Sequence, residues 1–506
     1  MEKSQRKIGM ILTYTGTLLL VAVNIFLTPF LIKSLGDAEY GVYQMMASFA
    51  GYLVLMNFGT GTVMTRYVSM YLGKGDKKGE RNFIAMGLII TGVLLAAIFV
   101  VSVVLYIFID EIYASSFTPA HLVKAKQLYI IIVLNLLVTL VIQAFQGIIN
   151  AYEKFLVSNV WNLIKIVLKA VLIVTLFQFK ADSLVIVSVD LFLSVCFMLI
   201  CIGYSVFVLK ATPKLTKFDK SVFTSTAVFS LAIMLQAVVN QVNTRVDTTI
   251  LGIMINPESV TMYSIAMQVF QIFSAMSTAA IALYLPKFTK MVAAGANSGD
   301  QLTNAMIPPS RIQTVISGAI MFGFFVCGRD FVQVWMGSGY EQAYIIALIV
   351  MVPMFLVYTN GVVESVLDAM QKRLVRSVVL VCSAAANIVI SIVLVHYFGA
   401  LGAPVGTALT TLIGSLIILN LYYKKALGIG LRKLFFGIFR GILPSLLIAT
   451  IVTLPVAVLM PVGFAGLLAK GGLFVAVLVA CLLIFGFNKD EKNMIFDMLR
   501  RKKKSN

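Results

Sequence analysis

Long apolar runs, bounded by charges, glycine or proline, recur along the whole chain. A helix needs about 20 largely apolar residues to cross the hydrocarbon of a bilayer, and about fourteen runs of this kind occur. They fall near 9–31, 40–63, 83–109, 126–149, 157–179, 183–208, 222–254, 260–285, 312–328, 343–363, 375–397, 402–423, 441–460 and 463–487. The pattern predicts an all-α polytopic membrane protein with about 14 transmembrane helices.

Composition agrees with that prediction. The chain is 60% hydrophobic, only 12% of its residues are charged, and its mean hydropathy is +0.97. Soluble globular proteins have a much more polar balance. The basic start KSQRK precedes an apolar run too long for a signal-peptide core, so we expect a retained first span.

Basic residues alternate from one predicted loop to the next. With a cytoplasmic N-terminus, 31 of the 40 lysines and arginines lie in inner segments, and the outer loops hold only Lys124, Lys126, Lys180 and Arg329. This asymmetry follows the positive-inside rule and predicts an even number of spans with both termini cytoplasmic. It also accounts for the net charge of +19, which we assign to contacts with anionic membrane lipids rather than to nucleic acid.

Cysteine and histidine usage points to no bound metal. The five cysteines lie mainly in predicted spans without metal-like spacing, and only two histidines occur. Neither a disulfide framework nor a zinc site is indicated, and we expect no cofactor.

Two pairs of segments indicate an internal duplication. GDAEYGVYQMMASF at 36–49 resembles NPESVTMYSIAMQV at 256–269, and QGIINAYEKF at 146–155 resembles ESVLDAMQKR at 364–373. The offsets of 220 and 218 residues predict a repeated unit of six spans in parallel orientation. The expected organisation is an N-terminal lobe at 1–220, a C-terminal lobe at 221–430, two appended helices at 431–487 and a basic tail at 488–506.

Polar residues fall on single faces of four predicted spans. They are Thr13, Thr17, Asn24 and Thr28 in the first span, Gln44, Ser48 and Tyr52 in the second, Gln236, Asn240, Asn243 and Asp247 in the seventh, and Ser264, Gln268 and Gln271 in the eighth. Amides and hydroxyls can simply join helices to one another. Stripes at repeat-related positions favour a hydrated cleft between two lobes.

The fifth predicted span carries two lysines far from either end. Asn162, Lys165 and Lys169 share one helical face, and two ammonium groups at i and i+4 repel each other. Such a pair favours water and an anion. The alternative is an ion pair between Lys169 and Asp190, which leaves Lys165 without an obvious acidic partner.

Several further charges within or near the spans are candidate sites. Arg245 and Asp247 lie on roughly opposite sides of an ideal helix, so we expect Asp247 to face the cleft and Arg245 to contact a neighbouring helix or the outer surface. Asp247 and Asp190 are candidates for ion coupling. Glu364 and Asp368 could form a gate or an ion site, or pair with Lys372 or Arg373.

Three segments of the chain resemble a known family. LIKSLGDAEYGVYQMMASF, NQVNTRVDTTILGIMINPESVTMYSIA and DFVQVWMGSGYEQA are similar to segments of Wzx-type lipid-linked oligosaccharide flippases. These belong with MurJ-type lipid II flippases and MATE exporters to the multidrug/oligosaccharidyl-lipid/polysaccharide (MOP) exporter superfamily. The resemblance implies alternating access around a cavity lined by spans one, two, seven and eight. It also implies a polyprenyl diphosphate-linked glycan as substrate, whose diphosphate suits Lys165, Lys169 or Arg245.

Departures from the relatives limit the choice of substrate. The first span has no arginine, unlike MurJ-type proteins, which weakens a lipid II assignment. The cationic fifth span disfavours a cationic drug, although Asp247 and Asp190 keep a proton- or sodium-coupled MATE exporter as the alternative. A membrane enzyme is the rival class, but the acids of the short outer loops form no evident constellation.

The expected function is therefore transport, not catalysis. We expect flipping of a cell-surface polysaccharide precursor from the cytoplasmic to the outer leaflet of a bacterial cell membrane. A polysaccharide polymerase and glycosyltransferases are candidate partners in that setting.

Overall fold

The chain is almost entirely helical. The computed structural model describes residues 2–216, 220–278, 281–295, 298–370, 372, 374–488 and 491–492, and no β-strand occurs among them. The α-helices of the first half are α1 (Glu2–Leu35), α2 (Asp37–Gly51), α3 (Thr60–Gly73), α4 (Lys77–Tyr113), α5 (Pro119–Ala151), α6 (Phe155–Phe177), α7 (Ser183–Gly203) and α8 (Lys220–Met254).

The second half continues in the same way. Its helices are α9 (Pro257–Thr278), α10 (Leu285–Ala293), α11 (Gly299–Met336), α12 (Glu341–Thr359), α13 (Val362–Ala369), α14 (Leu374–Phe398), α15 (Gly402–Thr410), α16 (Leu419–Leu427), α17 (Leu431–Phe439), α18 (Ile442–Leu459) and α19 (Phe464–Cys481). Short 3-10 or π segments extend several of these helices. The prediction of an all-α polytopic fold is confirmed.

Ten helical segments of the described chain are long and apolar enough to cross a membrane. One of them, Leu374–Leu427, has 54 residues and covers two of the predicted spans. The predicted second and eighth spans are interrupted in the structure, and the predicted seventh span corresponds to α8, which carries many polar residues. The count of fourteen spans stays a prediction.

Side-chain caps begin several of the helices. Asp76 accepts a hydrogen bond from the Gly79 amide at 2.9 Å at the start of α4, and Asp182 accepts one from the Leu184 amide at 2.9 Å at the start of α7. Thr118 caps α5 in the same way, with Pro119 in the first turn. Each cap satisfies an amide that has no partner within its own helix. The loops therefore fix where the spans begin.

The predicted second span is broken in its middle. A 3-10 segment, Tyr52–Asn57, follows α2, and Phe58 and Gly59 then take left-handed φ values of 50° and 68° before α3 begins. The Thr60 hydroxyl donates to the Asn57 carbonyl at 2.6 Å, which caps part of the exposed backbone. Non-helical backbone at membrane depth is tolerated only where protein or a water-filled cavity satisfies it.

Helix bounds in the two halves follow the predicted repeat offset. α2 and α9 start 220 residues apart, at Asp37 and Pro257, and α6 and α14 start 219 residues apart, at Phe155 and Leu374. A π segment follows both α7 and α15, at Tyr204–Val208 and at Thr411–Ile418. The arrangement as two pseudo-symmetric lobes stays a prediction.

The described chain divides into two compact units, Met1–Thr261 and Met262–Asn506. In the first unit α5 lies at the centre and packs against α2, α3, α4 and α7. A core of apolar side chains joins α3, α4 and α5, with Met64, Ile84 and Ile148 fully buried. The predicted lobe boundary near residue 220 stays a prediction, and α8 packs within the first unit.

In the second unit α11 is the central helix. It packs against α12, α17, α18 and α19, so that the last helices of the chain are held against it. Its fully buried Met306 shares an apolar core with Leu434 of α17. Within the same unit, Lys470 of α19 forms a buried ion pair with Asp330 of α11.

Among the described residues of the second unit, the Arg311 side chain of α11 donates the largest number of hydrogen bonds. Its Nε and Nη2 donate to the two carboxylate oxygens of Glu491 at 2.6 and 3.0 Å. Nη1 donates to the carbonyls of Gly437 and Arg440, each at 2.9 Å, and Nη2 to that of Gly486 at 2.6 Å. The guanidinium therefore joins α11 to the corner between α17 and α18, to the end of the last span and to the start of the tail.

A cluster of charges joins three elements of the first unit near the end of α6. The Lys124 ammonium lies 2.7 Å from Asp182 and 3.5 Å from Glu39, and Lys180 lies 3.1 Å from Asp182. The Ser183 amide donates to Glu39 at 2.7 Å. Burial raises the pKa of Asp182, but the hydrogen bonds from Lys124, the Leu184 amide and Lys180 outweigh it, so the net pKa is lowered.

We expect Arg311→Ala to destabilise the protein by about 3 kcal/mol, because it leaves a partly buried carboxylate and three carbonyls without their donor. The matched control is Arg432→Ala, since Arg432 is exposed on α17. Thermal unfolding in detergent measures both. Equal unfolding midpoints for the two variants would remove Arg311 from the stability of the second unit.

The charge cluster predicts a loss of stability in acid. A carboxyl whose pKa is lowered by folding contributes stability that is present above its unfolded pKa, about 3.9 for Asp, and that is lost as the pH falls through the folded pKa. We therefore expect the unfolding midpoint of the wild type to fall towards that of Asp182→Asn below about pH 4. Asparagine keeps the helix cap. Parallel curves for the two proteins between pH 3 and 7 would contradict the role of Asp182.

Candidate functional site

The lysines of α6 face α7. Lys169 forms an ion pair with Asp190, with 2.6 Å between Nζ and Oδ2, and both side chains are partly exposed, at 29% and 20%. Of the two arrangements open from the sequence, the structure contains the ion pair. An opposite charge at this distance largely offsets the cost of placing Lys169 within a span.

Lys165 lies one turn earlier on the same face and has a different partner. Its ammonium donates to the Ser194 hydroxyl at 3.1 Å, and no ion pair of Lys165 occurs among the described residues. The hydroxyl is neutral, so the positive charge of Lys165 is not compensated by direct contact. Lys165 can therefore bind an anion without breaking an ion pair, whereas Lys169 is already paired with Asp190.

A third element, α2, adds a tyrosine to the lysine pair. The Tyr43 phenol is close enough to interact electrostatically with Lys169, Asp190 and Arg245. The Gln44 amide, on the next residue, donates to the Tyr40 hydroxyl one turn earlier at 2.8 Å. The sequence had placed Lys169 and Arg245 on separate spans, and both of them act electrostatically on Tyr43.

The charged part of α8 lies beside the end of α2. Thr249 and Tyr52 share a hydrogen bond of 3.1 Å between their hydroxyls, and both Arg245 and Asp247 act electrostatically on Tyr52. Asp247 is only 4% exposed, whereas Arg245 is half-buried. The polar segment of α8 therefore continues the polar site of α2.

Small residues allow α2 and α8 to approach closely. A Cβ built on Gly252 would lie 2.2 Å from the Met45 side chain, and one built on Gly41 would lie 2.0 Å from the Pro257 carbonyl oxygen. The Thr261 hydroxyl donates to the Asp37 carbonyl at 2.7 Å at the start of α2. Glycine at position 41 is required by sterics, because the added Cβ would meet backbone at the start of α9.

The other predicted cavity residues are distributed over several elements. Asn24 is half-buried and Thr17 exposed on α1, a helix that packs against α6, and Asn162 is exposed on α6. Gln268 is half-buried on α9, in the second unit. The side chains of Asn240 and Asn243 lie outside the described residues. Membership of one binding site stays a prediction for all of them.

The structure gives Glu364 a partner that the sequence did not name. Its carboxylate pairs with Arg376 of α14. Lys372 instead donates to the Ala426 carbonyl at 3.0 Å, and Arg373 lies outside the described residues. The α13 helix begins after Asn360 and Gly361, so Glu364 points from a separate short helix that the sequence had treated as part of a span. A coupling role for Glu364 and Asp368 stays a prediction.

Comparison with known proteins identifies the family. Residues 6–292 match the family described as "Polysaccharide biosynthesis protein", which is more than half of the chain and includes every residue of the α2, α6, α7 and α8 site. The chain belongs to the polysaccharide biosynthesis protein family. No curated protein matches the chain.

Solved structures show that this polysaccharide biosynthesis protein has the fold of MOP-superfamily transporters. The lipid II flippase MurJ, in an inward-closed conformation, superposes with a TM-score of 0.69 at 15% identity over 94% of this chain and 98% of that one. An inward-facing multidrug resistance MATE transporter of the MOP superfamily gives 0.66 at 14% identity over 82% and 95%. A MOP-superfamily transporter from Pyrococcus furiosus, reported with reversed polarity of its binding pocket, gives 0.52 at 13% identity over 84% and 96%. At these identities the likeness concerns the fold.

One polar stripe of this family member was missed in the sequence. Asn135, Thr139 and Gln143 follow one another at intervals of four residues on α5, and the Gln143 carbonyl oxygen accepts a hydrogen bond from the Asn57 amide at the break of the second span. The four-residue spacing of these residues can be seen in the sequence. The hydrogen bond between Asn57 and Gln143 cannot be predicted from it, because that contact depends on a helix break that no proline marks.

The ion pair between Lys169 and Asp190 predicts that the stability effects of substituting the two residues are coupled. Lys169→Gln and Asp190→Asn should each lower stability, because each leaves one charge unpaired within a span, and the double variant should recover part of the loss. Couplings between contacting residues are typically about 0.5–3 kcal/mol. Lys165→Gln is the control, since glutamine can keep the bond to Ser194. Additive effects in the thermal-unfolding cycle would exclude the pair as a stabilising contact.

Proposed function

We propose that this protein is an alternating-access flippase for a polyprenyl diphosphate-linked oligosaccharide. It would move this precursor of a cell-surface polysaccharide from the cytoplasmic to the outer leaflet of a bacterial cell membrane. The role is transport rather than catalysis. Its membership of the polysaccharide biosynthesis family and its MOP-type fold both support this proposal.

The observation that carries the proposal is the charge of the α6 site. Lys165 and Lys169 lie one turn apart in a membrane-spanning helix, but only one carboxylate, that of Asp190, forms an ion pair with either of them among the described residues. Arg245 adds a further cation through its interaction with Tyr43. A site with excess positive charge favours a diphosphate over a cationic drug.

The residues suggest how the headgroup is held. The diphosphate would first contact Lys165, whose hydroxyl partner Ser194 can be replaced by a phosphate oxygen without leaving a buried charge unpaired. Lys169 could then share its ammonium between Asp190 and the ligand, because an ammonium has three donors. Tyr43 and Gln44 offer neutral hydrogen bonds to phosphate or sugar hydroxyl groups. The polyprenyl chain would stay in lipid.

The membrane potential can contribute to the direction of transport. With both termini cytoplasmic, as the distribution of lysine and arginine predicts, the inside-negative potential favours outward movement of an anion. The contribution is about 2.3 kcal/mol per charge per 100 mV if the charge crosses the full field. A bound diphosphate that is only partly neutralised by the lysines would retain some of this driving force.

One observation favours the alternative, a proton- or sodium-coupled exporter of the MATE type. Asp247 is almost fully buried in α8, and a buried carboxylate within a span is a common site for ion coupling. In the flippase the same group could couple a proton to glycan movement. The two functions differ in their cargo, so the cargo decides between them.

The test is transport by the purified protein in liposomes, with a fluorescent polyprenyl diphosphate oligosaccharide in one assay and a cationic dye in another. We expect the wild type to move the glycolipid and not the dye. Lys165→Gln combined with Lys169→Gln should slow glycolipid movement by roughly a hundredfold, because two charge-assisted contacts of about 1.5 kcal/mol each are lost.

Two controls accompany this assay. Lys154→Gln removes a lysine from the loop just before α6, outside the site, and should leave transport unchanged. Asp190→Asn removes the ion pair but keeps both lysines, so it separates loss of the ion pair from loss of the anion site. Movement of the dye alone, driven by a proton or sodium gradient, would replace the flippase with the MATE-type function.

A further inference from the structure

An apolar groove runs along α6 and α7 beyond the lysine pair. It has a volume of about 460 Å³ and is lined mainly by Leu172 and Leu176 of α6 and by Val185, Val189 and Phe192 of α7. Small-molecule pockets typically have about 300–1,000 Å³, so the groove can hold part of a chain-like ligand. Leu176 and Phe192 are 40% and 60% exposed, which leaves the groove accessible.

The groove is continuous with the lysines along one helical face. Lys165, Lys169, Leu172 and Leu176 follow the spacing i, i+4, i+7 and i+11, which places all four on one side of α6. Contacts to Ser194 and Asp190 confirm that the lysine part of this face is turned to α7. At 1.5 Å per residue, Leu172 and Leu176 lie about 5 and 10 Å beyond Lys169 along the axis. A cationic site is thus followed directly by an apolar one.

The far end of the groove carries a second cation. Lys180 and Asp182 border the groove there. Asp182 already receives hydrogen bonds from Lys124 at 2.7 Å and from the Leu184 amide at 2.9 Å, so its bond to Lys180 is a third one. The Lys180 side chain is 76% exposed. Its ammonium therefore has free donors for a phosphate group at the membrane surface.

We propose that the groove between α6 and α7 binds the first isoprene units of the substrate's polyprenyl chain, which rests on the function proposed above. A diphosphate at Lys165 and Lys169 is joined to its chain by one ester oxygen, so the chain must begin within a few ångströms of these lysines. Leu172 is the first apolar side chain on that face. With the predicted topology the groove lies in the outer half of the membrane, and Lys180 contacts the diphosphate as the product leaves.

Charge order along α6 favours the polyprenyl chain over a phospholipid acyl chain. A phospholipid of the outer leaflet would place its phosphate at Lys180 and its chain ends near the middle of the membrane, where the groove meets Lys169 and Lys165. Apolar chain ends gain nothing from two ammonium groups. A ligand with an apolar chain and a diphosphate at its inner end matches the lysines at the inner end of the groove and the apolar side chains that follow them.

The test combines cross-linking with substitution in the full-length protein in liposomes. A polyprenyl diphosphate oligosaccharide with a photoreactive group in its second isoprene unit should label the segments 172–176 and 185–192. Leu176→Trp with Val185→Trp narrows the groove and should slow flipping of the long-chain substrate by roughly tenfold. An analogue with only two isoprene units should be slowed much less.

The matched control is Val171→Trp with Val174→Trp. Both valines are exposed on α6, at 54% and 40%, and neither lines the groove. Equal unfolding midpoints for the two tryptophan pairs establish that both proteins fold. The cross-link on the wild type needs no substitution, so it tests the groove independently.

The outcomes separate this proposal from the proposed function. If the wild type flips the glycolipid but the label lies elsewhere, or if both tryptophan pairs flip alike, the groove is not the chain site. Labelling of the groove by a photoreactive phospholipid that the polyprenyl substrate does not displace would likewise overturn it. If the wild type moves no glycolipid, the flippase function fails, and the label alone then decides whether the groove binds an isoprenoid chain.

Discussion

The cost of placing charge in hydrocarbon determines much of this structure. Ion pairs join neighbouring helices at several places in the described chain, among them Lys169–Asp190, Lys126–Asp110, Lys470–Asp330 and Arg376–Glu364. Each pair fixes the axial register of two helices, because a shift of one turn would leave both charges unpaired. Lys165 differs, since its hydrogen-bond partner is the Ser194 hydroxyl, and Asp190 acts on it electrostatically without forming an ion pair with it among the described residues. In the proposed flippase the diphosphate would supply a direct counter-ion.

The same constraint applies to the backbone at the break of the second span. A helix that ends between Gly51 and Thr60 exposes amides and carbonyls that hydrocarbon cannot satisfy. The 3-10 segment, the Thr60 hydroxyl and the contact between Asn57 and Gln143 provide partners. Glycine and the left-handed Phe58 allow the chain to turn there. The break separates the Tyr43 end of the predicted span from α3.

Much of the fold follows from the sequence, because hydrophobic length and charge asymmetry are local signals. The Lys169–Asp190 pair was also accessible, since both residues sit at similar depth in adjacent predicted spans. Ser194, Arg376 and Gln143 were not, because partner choice depends on helix rotation and on breaks that the apolar pattern does not mark. Arg311 appeared as one more inner-loop cation, whereas it lies buried and binds Glu491 near the end of the described chain. The periodicity of the sequence predicts which residues share one face of a helix, but the packing of the helices determines which residues that face contacts.

In the proposed flippase, the balance of charges in the α6 site would also favour release of the substrate. A transporter must bind its cargo in one leaflet and lose it in the other, so very tight binding would slow turnover. In the proposed flippase Asp190 would compete with the anion for Lys169, which weakens the site relative to two unpaired lysines. When the anion leaves, Asp190 would take back the full interaction and Lys165 would return to Ser194. The carboxylate and the hydroxyl would therefore act as resident substitutes for phosphate oxygens, and in the structure they hold α6 against α7.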